Sequence, residues 1–137
     1  MRGRKRAITR FTKFRDEILS NYRYSEYRSN DFTRFLKDVS ESQFELIIFR
    51  YCDTDESLRF DNPGLATVLY QVFRLADKNI LLRDLENLAD TFPGGNNSRN
   101  SLYEAIIALV VTDQISYASK DFDDSPSNTL QFFIKDE

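Results

Sequence analysis

Apolar side chains recur at three- and four-residue steps through most of this chain, and any fold it adopts must satisfy that period. Ile8, Phe11, Phe14, Ile18 and Tyr22 fall on one helical face, while Arg10, Lys13, Asp16 and Glu17 fall off it. The spacing predicts a helix over residues 8–22, preceded by a loose start of about six residues. Asn21–Asn30, "NYRYSEYRSN", reads as a polar connection. A second helix begins at Ser29–Asp31, where side-chain oxygens can cap it, and turns Phe32, Phe35, Leu36 and Val39 inward.

The next stretch, Asp38–Cys52, "DVSESQFELIIFRYC", fits a buried strand or a buried helix when read by its apolar run alone. The residues ahead of the run decide for a helix. Ser40 and Gln43 fit a capping box, in which each side chain satisfies the other's exposed backbone donor. Phe44, Ile47, Ile48 and Tyr51 then form its stripe.

After the acidic loop "CDTDES", a helix over 63–77 opens on two cap candidates and Pro63, with Leu65, Val68, Leu69, Val72 and Phe73 inward. A helix over 81–92 carries Leu82, Leu85, Leu88, Ala89 and Phe92. "PGGNN" breaks the chain. A fifth helix over 98–112 presents Leu102, Ile106, Leu109 and Val110, with Ser101 and Glu104 placed as a second capping box. "ISYAS" and "TLQFFIKD" alternate as strands around the polar turn "KDFDDSPSN". The expected fold is mainly α, a compact bundle of about five helices ending in a β-hairpin, winged-helix-like in outline. Residues 1–30 form a basic arm and amphipathic helix, and residues 31–137 one helical domain.

Composition narrows the chemistry. With 137 residues, 41% of them hydrophobic, the chain can bury a core. Chains of this length hide roughly two-thirds of their unfolded surface. A single cysteine, Cys52, excludes an internal disulfide and a cysteine-based metal site. The absence of histidine removes the usual general base and zinc ligand. "DTDES" lacks the glycine and distal glutamate of a calcium loop, "DFDD" reads as a solvated turn, and "PGGNNS" has no lysine for phosphate. Cys52 sits behind an aliphatic face and has no activating base, so burial is expected. These features point away from an enzyme, a cofactor, a metal and a small-molecule substrate. No apolar run is long enough for a bilayer and no signal-peptide core follows the basic start, so a cytoplasmic protein without a membrane partner is expected.

Charge is segregated. Residues 1–15 hold seven Arg/Lys and no acid, whereas the remaining 122 hold 12 basic and 22 acidic side chains. Arg2, Arg4, Lys5, Arg6, Arg10, Lys13 and Arg15 are therefore candidates for phosphate contacts with a nucleic acid. The same charges also suit a solvated terminus, an Arg-rich transit peptide, or pairing with the acidic body of a neighbour.

Residues Phe35 to Gly94 resemble the effector-associated, death-like domains of bacterial conflict and signalling systems. The likeness rests on "FLKDVSESQFELIIF", the helix pair "LYQVFRLADKNILLRDLENL" and the "FPGG" close. It implies a non-catalytic bundle that recruits effectors or sensors through contacts between like domains. A protein partner, including a second copy, is then expected on exposed residues of the 31–95 bundle. Residues 63–137 are also similar, by order of elements, to a winged helix-turn-helix. That likeness implies a dimeric DNA-binding regulator, with the N-terminal helices as the dimer contact. Its third helix would face bases with Asn97, Ser98, Arg99, Asn100 and Tyr103. Arg99 is the only cation on that helix, and the wing tip carries Asp121, Asp123 and Asp124. Phosphate attraction would have to come from Arg2, Arg4, Lys5 and Arg6.

Overall fold

The computed structural model describes the backbone of residues 2–22, 30–51, 65–91, 96–119 and 124–135, and the side chains of 6–22, 30–50, 67–91, 99–119 and 124–135. The elements run α1 (Arg2–Asn21), α2 (Asp31–Asp38), α3 (Glu41–Tyr51), α4 (Leu65–Ala76), β1 (Ile80–Leu81), α5 (Leu82–Asp90), α6 (Asn96–Val111), β2 (Ile115–Ser119), α7 (Pro126–Thr129) and β3 (Leu130–Ile134). The protein is mainly helical, with a small antiparallel sheet near the C-terminus. Cys52, the acidic loop, the break at Pro93–Gly95, and Asp121 and Asp123 lie outside the described residues.

The local chemistry accounts for the starts of α2 and α3. Asn30 caps α2 by accepting the Thr33 N–H on Oδ1 at 2.9 Å. The box ahead of α3 forms as expected. The Ser40 N–H donates to Gln43 Oε1 at 2.9 Å, and the Gln43 N–H donates back to Ser40 Oγ at 3.2 Å. Ser40→Ala is expected to lower stability by about 1 kcal/mol. Urea unfolding measures this, and an unchanged midpoint would mean that the box does not hold the helix end.

Several expectations are corrected. α1 begins at Arg2 rather than near residue 8, so the start expected to be loose continues the helix. α6 begins at Asn96, which leaves Ser101 inside the helix, and Glu104 pairs with Arg50 of α3 instead of closing a second box. The expected hairpin is two strands of three, with α7 inside its connection. β1 pairs with the far side of β3, giving the order β1-β3-β2 with Ile80 opposite Phe132 and Tyr117 opposite the same Phe132. A strand of two residues is too short to show alternation, so it was not visible in the sequence.

One buried cluster runs through the described residues. α1 contributes Ala7, Phe11, Phe14, Ile18 and Tyr22, which join Phe32 and Leu36 of α2, Phe44 and Ile47 of α3, and the sheet residues Ile115, Leu130 and Phe132. Phe11 stacks on Phe44 with centroids 4.4 Å apart and planes at 13°. Tyr22 fixes the end of α1 by hydrogen bonds with Ser119 Oγ of β2 and, at 3.0 Å, with Thr129 Oγ1 of α7.

α6 is the axle of the fold. Its run Ala105–Val111 is buried on every face, with α1, α3, α4 and α5 packed around it. The helix ends in a Schellman-type turn: Gln114 N–H reaches Leu109 O at 2.9 Å and Asp113 N–H reaches Val110 O at 3.1 Å. Asp113 takes the left-handed conformation this turn needs, with φ 61°.

Candidate functional site

Two hollows meet across α2. One, of about 810 Å³, lies between α2 and the ends of α5 and α6, lined by Asp31, Arg34, Phe35, Asp38, Asp90, Arg99, Asn100 and Tyr103. The other, of about 300 Å³, lies between α2 and α3, lined by Phe35, Asp38, Val39, Gln43, Leu46, Ile47, Arg50 and Glu104. Phe35 and Asp38 border both, so the two form a continuous groove. Its α3 end has an apolar wall of Phe35, Val39, Leu46 and Ile47, and its α6 end is charged.

The charged end is held by a network rooted in a buried acid. Glu86 of α5 is 4% exposed. Its Oε2 accepts from Tyr103 Oη at 2.6 Å and its Oε1 from Ser127 Oγ at 2.7 Å. Ser127 Oγ in turn accepts from Asn30 Nδ2 at 3.1 Å, so the cap of α2 joins the same network. Arg99 clamps Asp90 with two parallel bonds of 3.1 and 3.0 Å, donates to Asp31 Oδ2 at 3.0 Å, and lies 3.8 Å from Glu86 Oε2. The bond to Asp90, above the other contributions, raises the Arg99 guanidinium beyond its ordinary value. Burial, and then the bond to Glu86, push the Tyr103 phenol well above the ordinary tyrosine range. At this end, then, both cations of the groove are paired, Arg99 as above and Arg34 with Asp31.

Asp38 differs. It is exposed, and no hydrogen bond or ion pair reaches its carboxylate among the described residues. Leu46, which lines the groove with it, is 57% exposed, and Phe49, elsewhere on α3, is 70% exposed. On α4, Leu75 is 84% exposed.

Of the α6 residues expected to face nucleic acid, Arg99, Asn100 and Tyr103 line the same hollow beside α2. Arg99 and Tyr103 are engaged in the Glu86 network, Asn100 is exposed at the groove, and the side chains of Asn97 and Ser98 lie outside the described residues. Asp124, one residue ahead of the N-cap Ser125 of α7, accepts on Oδ1 from Ser125 N–H at 2.6 Å and Asn128 Nδ2 at 3.0 Å. Among the α1 cations, Arg10 donates to Val111 O at 2.8 Å and pairs with Asp113 at 3.5 Å, fastening α1 to the end of α6. Arg15 pairs with Asp16 and lies over the Phe11 ring. Arg6 and Lys13 are exposed, and the side chains of Arg2, Arg4 and Lys5 lie outside the described residues.

Sequence reasoning passed over Glu86, Asp38 and Leu46. Glu86 was detectable by spacing, since it lies four residues after Leu82 and three before Ala89 on the inward stripe of α5. Asp38 and Leu46 had no such signal, because they face each other across two helices. Among the described residues there is no cluster of three or more metal-ligating side chains, and no helix long and apolar enough to cross a membrane. No protein-family model, curated protein or solved structure matches this chain.

Proposed function

We propose that the chain is a non-enzymatic protein-interaction module that receives an apolar segment bearing a cation in the groove across α2. The observation that carries this reading is Asp38, an exposed acid without an ion pair among the described residues, flanked by the apolar wall of Phe35, Val39 and Leu46. A helix or extended segment would anchor apolar side chains on that wall and meet Asp38 with Lys or Arg. The exposure of Leu46 and Phe49 supports the same reading. The likeness of Phe35–Gly94 to death-like domains suggests the class of partner, a like domain in a bacterial defence or signalling system, met in the cytoplasm.

A second copy is the first partner to test, by sedimentation velocity across a concentration series. Association is expected, and Leu46→Asp is expected to return the chain to a monomer. A chain that stays monomeric throughout removes the homo-oligomeric form. The groove would then be titrated with a basic amphipathic peptide, and no binding there would sink the reading.

A second reading, the winged-helix regulator, is favoured by one observation. The order α4-β1-α5-α6-β2-α7-β3 with strand order β1-β3-β2 follows the connectivity of that fold except for the short α7 in the β2–β3 connection. Its difficulty is steric. A recognition helix needs a free face for the major groove, whereas α6 is enclosed from Ala105 onward and Arg99 is committed to acids.

A further inference from the structure

We propose that the segment received by the groove is the outer face of α4 from a second copy of this chain, so that copies join head to tail. This rests on the reading of the groove above and names its occupant. α4 carries two apolar stripes. Leu69 and Phe73 are buried, and the helix packs on α6 and β3. The other stripe turns outward: Val68 is 40% exposed, Val72 half-buried and Leu75 84% exposed. Val68 was expected to point inward, but Leu69 and Phe73 already take the core side. Val68, Val72 and Leu75 follow one another at steps of four and three residues, the spacing with which a helix sets anchors into a groove.

The end of this stripe supplies the charge. Arg74 and Lys78 are exposed, against one exposed acid, Asp77. Arg74 lies over the Tyr70 ring, and Lys78 has no ion pair among the described residues. Residues 68–78 therefore combine apolar anchors with an uncommitted cation. The groove offers the complement, Leu46 on the apolar wall and Asp38 beside it. Leu75 would seat on that wall and Lys78 would meet Asp38. Leu69 and Phe73 hold α4 in place, so it cannot turn its outer stripe into the groove of its own chain. A second copy can. Contact between unlike patches leaves each pair with one groove and one stripe open, so copies add beyond the dimer.

The test is sedimentation velocity of the full chain and of two variants, Leu46→Asp in the groove and Leu75→Asp on the stripe. Both leucines are exposed, so both variants should keep the wild-type circular dichroism and melting temperature. The wild type is expected to pass beyond the dimer as concentration rises. Each variant alone should associate about tenfold or more weakly, from the lost burial of one leucine. Mixed in equal amounts, the two should form a dimer with wild-type affinity and stop there, because one keeps its stripe and the other its groove. Lys78→Glu should weaken association about fivefold, and adding Asp38→Lys to the same chain should restore it. Four results would overturn the proposal: a mixture that stays monomeric, undiminished association of Leu75→Asp, a wild type that stops at the dimer, or a double charge reversal no tighter than Lys78→Glu alone. The reading of the groove fails separately. A basic amphipathic peptide that binds there, in a chain that does not self-associate, leaves that reading standing and removes this one.

Discussion

Phe32→Ala is expected to lower the free energy of unfolding by about 3–5 kcal/mol, because a fully buried ring leaves a cavity its neighbours cannot fill. Phe32 is the meeting point of four elements. Its ring lies 6.1 Å from Phe14 of α1, 5.2 Å from Tyr103 of α6 and 6.5 Å from Phe132 of β3. For a chain of this size the loss corresponds to a fall of about 10–17 °C in melting temperature. Because the ring joins the N-terminal helices to the sheet, all probes should lose structure in one transition. Thermal unfolding followed by circular dichroism and by tyrosine fluorescence would check both points. A loss below about 1 kcal/mol, or melting of α1 ahead of the rest, would show that Phe32 does not join them.

The second large effect is expected at Glu86. Glu86→Ala removes the acceptor for Tyr103 and Ser127 and the buried countercharge nearest Arg99. Stranding these groups should cost about 3 kcal/mol, discounted for Arg99 because it keeps Asp31 and Asp90. Glu86→Gln keeps the shape and one acceptor oxygen, so about 1 kcal/mol is expected. Urea unfolding of the two variants separates the network from simple packing, since equal losses would mean that the hydrogen bonds contribute nothing.

Alkaline pH probes the same site without mutation. Burial and Glu86 raise the Tyr103 phenol, and burial and Glu17 raise that of Tyr117. In the unfolded chain both ionise near pH 10, as ordinary tyrosines do. Above that pH the unfolded state holds fewer protons than the folded state, so stability falls as pH rises. Below it the contribution is fully present. Ultraviolet titration should show these two phenols ionising only as the chain unfolds.

The helices were legible because their signals are local. The Ser40–Gln43 box and the Phe44, Ile47, Ile48 stripe lie within a few residues of one another, and they placed α3 correctly. Where reasoning from sequence erred, it weighed one local signal and missed another. Ser101 and Glu104 have capping-box spacing, but helical backbone already runs from Asn96, and position within a helix outranks a four-residue pattern. Likewise "AIIALVV" is apolar on every face, which marks a helix enclosed by its neighbours rather than one offered to DNA. That signal was present in the sequence and weakens the recognition-helix expectation.

By itself, then, the sequence determined the helical class, the capped starts of α2 and α3, the alternating strands β2 and β3, and the crowding of cations into the first fifteen residues. Each depends on side-chain spacing along a few turns or on simple charge. Only the tertiary structure decided that the cations ride on a helix fixed by Phe11 and Phe14, that Arg99 answers to Glu86, Asp90 and Asp31, and that Asp38 lines a groove with Leu46 and has no ion pair among the described residues. The last two juxtapositions join residues from separate elements. Their distances are set by how α6 is enclosed, which no short stretch of the chain encodes.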